Sequence, residues 1–242
     1  MQEIFALTLA SMHNDMARLD QVALNLANVS TPGFKRQVVA ARPFTDVLQD
    51  AQAMQSSEVL TDTRAGTLRT TGQALDVALA GEGYFEVLTP NGPAYTRRGN
   101  FGVDARGRLV TSQGYPVMGK GGDLVLAGRA PIIDGVGHVT EAAAADNPAP
   151  AAPIGQLKVV RFDQPQTLQP LGEGLVAAGD GMTVLPDAEV QLRQGALENA
   201  NVNSTREMVD LIQTMRHFES MQRVLQGYDE MIGTAVRKLA EV

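Results

Sequence analysis

The sequence predicts an α+β protein: N- and C-terminal helices paired as an antiparallel coiled coil, with a mainly antiparallel β body inserted between them. Three observations predict it. Near the start, Phe5, Leu9, Met12, Met16, Leu19, Ala23 and Leu26 alternate spacings of four and three, which is the seam of a long helix. From about residue 58 to 192 the chain breaks into short runs rich in β-branched and aromatic residues, separated by Gly, Asn-Gly and Asp-containing turns. After residue 203 the helical seam returns.

The first helix, over residues 3–27, is roughly 37 Å long at about 1.5 Å per residue. Its one-sided stripe has to lie against something apolar. Its stop is chemically explicit. Pro32 lacks an amide hydrogen and pushes Thr31 out of helical dihedrals, and Gly33 can take the positive φ of a tight turn. Asn25, Asn28, Thr31, Pro32, Gly33 and Phe34 form the expected helix-exit motif, the point where the chain turns outward and where the angle between helix and body is expected to be set.

The expected organisation is an N-terminal helix (1–30), a connecting segment with extended structure (31–80), the β body (81–184), a return segment (185–203) and a C-terminal helix (204–242). Strand candidates are "LDVALAG" (75–81), "YFEVL" (84–88), "AYTRRGNFGVD" (94–104), "RLVTS" (108–112) and "QLKVVRF" (156–162). "TPNGPA" (89–94) reads as a hairpin turn. "EAAAADNPAPAAP" (141–153) is Ala/Pro-biased without periodicity and reads as an exposed loop.

The last helix opens on Ser204-Thr205-Arg206-Glu207, which fits a capping box. Met208, Leu211, Met215 and Phe218 make one seam. Met221, Leu225, Tyr228, Ile232, Ala235 and Leu239 continue it after a three-residue skip of the kind a stammer produces. The helix is roughly 55 Å long, and a shorter first helix cannot cover it. Phe5, Leu9, Met12, Met16, Leu19 and Leu26 with Met208, Leu211, Met215, Phe218, Leu225 and Ile232 are therefore the candidate subunit-packing residues. Asn28, Asn201 and Asn203 are expected to hold the two ends in register, with Ser204 and Glu207 completing the C-terminal junction.

Composition excludes several function classes. A formal net charge of -7 argues against nucleic acid as a partner, which needs a basic stripe against phosphates. With no cysteine there is no thiol catalysis, zinc-thiolate site or disulfide. Glu3, His13, Asn14, Asp15, Arg18 and Asp20 interrupt the start, so no basic region followed by an apolar one marks a cleaved signal. No run approaches the roughly 18 apolar residues of a membrane-inserted helix.

Catalytic constellations are thin. His13, His138 and His217 are not at metal-ligand spacing, so no metal is expected. Neither "GKGGDLVLAG" (119–128) nor "GEG" (81–83) follows a strand and opens a helix, and there is no GK[ST], so no phosphate-binding cofactor loop is expected either. Asp76, Glu82, Glu86 and Asp104 could supply a carboxylate pair for glycoside chemistry, but a strand face ordinarily carries a few acids. The expectation is a protein that is not an enzyme, with no catalytic residue and no cofactor. A β-domain adhesion module oligomerised by its helices is a competing reading.

Four motifs carry a resemblance. "NLANVSTPGFKR" (25–36), "ALDVALAGEGYFEV" (74–87), "YTRRGNFGVDARGRLVTSQGYPVMG" (95–119) and "GALENANVNSTREMVDLIQTMRHFE" (195–219) resemble, in the same order, the signatures of the bacterial flagellar rod and hook axial proteins. The short connection between Phe34 and "ALDVAL" is most similar to proximal-rod members, with distal-rod and hook-like members as alternatives. The resemblance implies terminal helices that form an inner coiled-coil tube and β domains that project outward. It also implies a place in the basal-body rod across the periplasm. The implied partners are copies of the chain, other rod subunits and the flagellar type III export apparatus, which would export the chain without a cleaved signal.

Overall fold

The protein's structure, a computed structural model, describes residues 2–40, 59–127, 131–141 and 153–240. It is α+β, with two long helices and a mainly antiparallel β body. The chain divides into two units: Met1–Ala27 with Gln37–Leu60 and Asn203–Val242, and Asn28–Arg36 with Thr61–Val202. The loop expected over 141–153 lies almost wholly outside the described residues.

The first unit holds helix α1 (Gln2–Ala27), the short strands β1 (Gln37–Val39) and β2 (Val59–Thr61), which pair with each other, and helix α2 (Ser204–Ala240). The helices pack on each other and run antiparallel. Asn25 near the end of α1 bonds Glu207 at the start of α2. Ten residues back along α1 and ten forward along α2, Asp15 meets His217.

Polar residues shift the α2 seam from its expected register. The inward stripe is Glu207, Leu211, Thr214, Phe218, Met221, Leu225 and Tyr228, an unbroken alternation of four and three. No skip is needed. The stammer arises only if the polar Glu207 and Thr214 are passed over in favour of Met208 and Met215, which are each 50% exposed. Burial of the two polar side chains is tolerated because each is bonded: Glu207 to Asn25, and Thr214 through its hydroxyl to the Asp210 carbonyl.

In the second unit, β3 (Leu68–Thr70) and β4 (Val77–Leu79) take their partners from the far end of the chain. β3 pairs with β19 (Ala196–Glu198), and β4 with β18 (Leu192–Gln194). Between them, β5 (Tyr84–Thr89) and β6 (Gly92–Thr96) form a hairpin whose Thr89–Gly92 pair leaves Pro90 and Asn91 as the loop, within the turn expected there. Strand β7 (Gly102–Val103) pairs with β8 (Leu109–Val110), and β9 (Met118–Gly119) with β10 (Gly122–Asp123). Strands β11 (Pro131–Ile133), β12 (His138–Glu141) and β13 (Gly155–Gln156) make a three-stranded sheet. Strands β14 (Val159–Arg161), β15 (Pro170–Gly172), β16 (Leu175–Val176) and β17 (Thr183–Val184) join the central hairpin in a six-stranded sheet of order β15-β16-β6-β5-β14-β17.

Both faces of that sheet are covered, so β5 reads as a buried run rather than an alternation. One face packs Phe85 on Phe101, with ring centroids 5.2 Å apart. On the other, Phe162 meets the edges of Tyr84 and Tyr95. Two hairpins reuse one turn chemistry: the Oδ1 of Asp104 and of Asp134 accepts the amides two and four residues ahead.

Candidate assembly site

In the first unit, Asn25 is almost completely buried at the end of α1. Its Nδ2 donates to the Gln37 carbonyl at 2.7 Å, and its Oδ1 accepts the Gln37 amide at 2.8 Å. The side-chain amide thus imitates a neighbouring strand for β1. The same Nδ2 reaches Glu207 Oε2 at 3.2 Å, so one asparagine ties α1, β1 and the first turn of α2. Glu207 is fully buried.

The cap of α2 differs from the expected one by a residue. Asn203, not Ser204, holds the capping position: its Oδ1 accepts the Arg206 amide at 3.1 Å, and its carbonyl accepts the Glu207 amide at 3.0 Å. Glu207 therefore lies a position beyond the slot that a capping box assigns to it. Its carboxylate is turned to Asn25.

Of the candidate packing residues, Met12, Leu19 and Leu26 are half-buried on α1, as are Leu211, Phe218 and Leu225 on α2. Leu9, Met16, Met208, Met215 and Ile232 are exposed. Ile212 and Met231, which the expected seam omits, are exposed beside them. The Phe5 side chain is outside the described residues. Each helix thus presents one apolar stripe to its neighbour and leaves a second outward.

In the second unit, the exit motif folds as a tight turn. The Thr31 amide donates to the Asn28 carbonyl at 3.0 Å, the Phe34 amide to the Thr31 carbonyl at 3.3 Å, and the Thr31 hydroxyl to Asn28 Oδ1. Gly33 has φ +67° and lies on the Arg97 backbone; a β-carbon there would stand 2.6 Å from the Arg97 carbonyl carbon and oxygen. Only glycine fits. Its amide donates to the Glu198 carbonyl at 2.7 Å. Phe34 is buried, and its carbonyl accepts the Asn201 amide. Asn201 Oδ1 accepts the Arg36 amide at 2.6 Å, while its Nδ2 donates to the Asp62 and Arg64 carbonyls.

The next residue, Lys35, is buried, and so are Arg97 at the end of β6 and Glu198 at the end of β19. Lys35 Nζ lies 2.7 Å from Glu198 Oε1, and Arg97 Nη1 lies 3.3 Å from Glu198 Oε2. Lys35 also donates to the Arg64 carbonyl, Arg97 to the Gly81 carbonyl, and the Gly66 amide to Glu198 Oε1. Burial pulls the Lys35 ammonium below the ordinary lysine range, against the opposing pull of the Glu198 carboxylate. Residue patterns alone do not mark this triad. Its members lie inside three of the four motifs, Lys35 in "GFKR", Arg97 in "TRRG" and Glu198 in "ALEN".

Three of the four acids that could supply a glycoside-type carboxylate pair have separate partners. Asp76 accepts from the Thr71 hydroxyl, Glu86 pairs with Lys158, and Asp104 holds its own turn. Among the described residues no group of three or more His, Cys, Asp or Glu could hold a metal ion, and no helix is long and apolar enough to cross a membrane.

Comparison with known proteins decides the family. Residues 193–238 match the family described as flagellar basal body rod FlgEFG protein C-terminal. Residues 78–140 match the flagellar hook protein FlgE/F/G D1 domain. The chain is 34% identical to the flagellar basal-body rod protein FlgF of Salmonella typhimurium over 232 aligned positions, covering 90% of each chain. The chain belongs to the flagellar basal-body rod protein family. FlgG of Agrobacterium fabrum is 30% identical, covering 97% of this chain and 98% of the relative. FlgF of Escherichia coli is 33% identical, with 90% of each covered. As a rod protein the chain is a structural component of the flagellar basal body; the family is one of structural proteins rather than enzymes. Arg97 lies within the matched D1 region and Glu198 within the matched C-terminal region.

Proposed function

We propose that the chain polymerises through its terminal helices, packed as a coiled coil with those of its neighbours, into the hollow rod that spans the periplasm. The rod transmits torque and conducts exported subunits. Its partners are copies of itself, other rod subunits and the type III export apparatus, which exports it without a cleaved signal. The supporting observation is the second apolar stripe: Leu9, Met16, Met208, Ile212 and Met215 are each 50–55% exposed. Covering the exposed half of such side chains would gain about 1 kcal/mol apiece. An outward stripe of this kind on a soluble surface is a mark of an interaction face. Adaptable methionines suit a subunit that fits slightly different neighbours.

Within the rod we assign the chain to the proximal-type subunits, on the short connection between Phe34 and the "ALDVAL" motif. The distal-type assignment is the alternative, because relatives named FlgG match the chain at an identity similar to those named FlgF. Basal bodies imaged from a strain lacking the gene decide between them. A rod arrested at its base fits the proximal role, and one arrested just below the hook fits the distal role. A complete rod in that strain would refute both.

A further inference from the structure

We propose that Lys35 and Asn201 become joined by an isopeptide bond, formed inside the folded β unit by attack of the Lys35 amine on the Asn201 side-chain amide, with Glu198 as the proton carrier. Lys35 Nζ and Asn201 Nδ2 donate to the same oxygen, the Arg64 carbonyl, at 2.9 Å and 3.0 Å. The two nitrogens are therefore no further apart than the sum of those distances.

The nucleophile, the proton carrier and the electrophile each have the surroundings that this reaction needs. Burial, with a lesser push from Arg97 and against the pull of Glu198, holds the Lys35 ammonium below the ordinary lysine range. A desolvated lysine beside a second cation is one way an amine becomes a nucleophile near neutral pH. Glu198 Oε1 lies 2.7 Å from Nζ, within reach for general-base work. The side chains of Lys35 and Glu198 are 7% and 1% exposed, so bulk water is kept from the attacking nitrogen.

Asn201 is held as the electrophile. Its Oδ1 accepts the Arg36 amide at 2.6 Å, which places a backbone donor where negative charge gathers once the carbonyl is attacked. Its Nδ2 also donates to the Asp62 carbonyl at 2.8 Å, so the amide is fixed at both ends. Asn201 is only half-buried, which leaves the departing nitrogen a way out.

The Nζ–Cγ bond forms and the Cγ–Nδ2 bond breaks. Two of the three ammonium protons pass through Glu198 to the leaving nitrogen, which departs as ammonium. No oxidant, metal or second substrate takes part. The groups meet only once the β unit has folded, so the ion pair precedes the bond. Lys35 follows the exit from α1 and Asn201 precedes α2, so the bond closes the chain between them into a loop. In a rod subunit, the reading proposed above, load passing between the two helices would then cross the bond without drawing on the strands of the β unit.

Intact mass spectrometry of the purified full chain, as wild type, Lys35→Arg and Glu198→Gln, tests the bond whether or not the chain assembles. The wild type should be lighter than its sequence by one ammonia, and its digest should yield one branched peptide holding both Lys35 and Asn201. Lys35→Arg, which keeps the charge without the amine, should have its full mass, and so should Glu198→Gln. A wild type of full mass, with the Lys35 and Asn201 peptides recovered apart, would overturn the proposal. So would an ammonia loss that persists in Lys35→Arg, or one that maps to a succinimide at Asn91-Gly92. Undiminished linkage in Glu198→Gln would overturn the role of the carboxylate. A linked chain whose gene fails to restore swimming to a strain lacking it would refute the rod reading and leave the bond standing.

Discussion

Lys35 and Glu198 stand 163 residues apart in sequence, and their side chains meet at 2.7 Å in the interior of the β unit. The contact joins the segment that follows the exit turn to the strand that precedes the last helix. With Arg97 it places two buried cations on one carboxylate.

Removing that carboxylate leaves both cations without it in a desolvated site. Glu198→Gln is expected to destabilise the β unit by about 3–5 kcal/mol. Lys35→Met should cost less, because it leaves the Arg97–Glu198 pair. Urea unfolding of the two single variants and the double variant measures the coupling, which should exceed about 1 kcal/mol. Additive costs would mean that the pair does not act as a unit.

Gly33 carries the second prediction. A side chain there meets the Arg97 backbone and a φ of +67°. Gly33→Ala should therefore cost at least about 1–3 kcal/mol. The Pro32→Ala change, beside it on a partly exposed residue, should cost under about 1 kcal/mol. Thermal unfolding of the two variants checks the difference. The exit turn belongs to the β unit's own packing, so replacing Gly33 is expected to strike the folding of that unit as well as the exit of the chain.

Asn25 should be as sensitive as a core residue. Asn25→Leu takes the side-chain partner from the Gln37 amide and carbonyl and one donor from the buried Glu207 carboxylate. A loss of about 1–3 kcal/mol follows from the unsatisfied backbone groups. Hydrogen exchange at the Gln37 amide should quicken sharply in this variant. Unchanged protection would show that β1 does not depend on the asparagine.

Acidification should weaken the β unit. The Arg108 amide, with lesser contributions from the Arg108 side chain and the Arg106 amide, holds Asp104 below the usual carboxylate range. Lys120 and then Gln156 do the same for Asp187, and the Arg64 side chain for Asp62. A carboxylate depressed in the fold contributes stability that is complete above its unfolded pKa, about 4, and is lost as pH falls through the folded value. The Tm of the β unit should hold down to about pH 5 and decline below about pH 4. An Asp104→Asn, Asp187→Asn variant should show a shallower decline.

The sequence made the architecture legible where one physical rule acts alone. Periodicity placed both helices, and Thr89-Pro90-Asn91-Gly92 placed the central hairpin. The register of the α2 seam was not legible, because Glu207 and Thr214 look like surface residues until their partners are known. The cap was misplaced for a related reason: Asn203 and Ser204 are both good caps, and the hydrogen bond to Arg206 decides between them. The buried triad was hidden because Lys35, Arg97 and Glu198 become neighbours only through the pairing of β3 with β19 and the docking of Gly33. Charged residues in isolation read as solvated surface.

The central claim, that the chain assembles through the outward apolar face of its helices, is tested most directly by Met215→Asp in a strain lacking the gene. Met215 is 50% exposed, so the substitution should leave the monomer's Tm close to that of wild type. It should abolish rod assembly and swimming while the subunit is still secreted. Normal swimming in that strain would contradict the account.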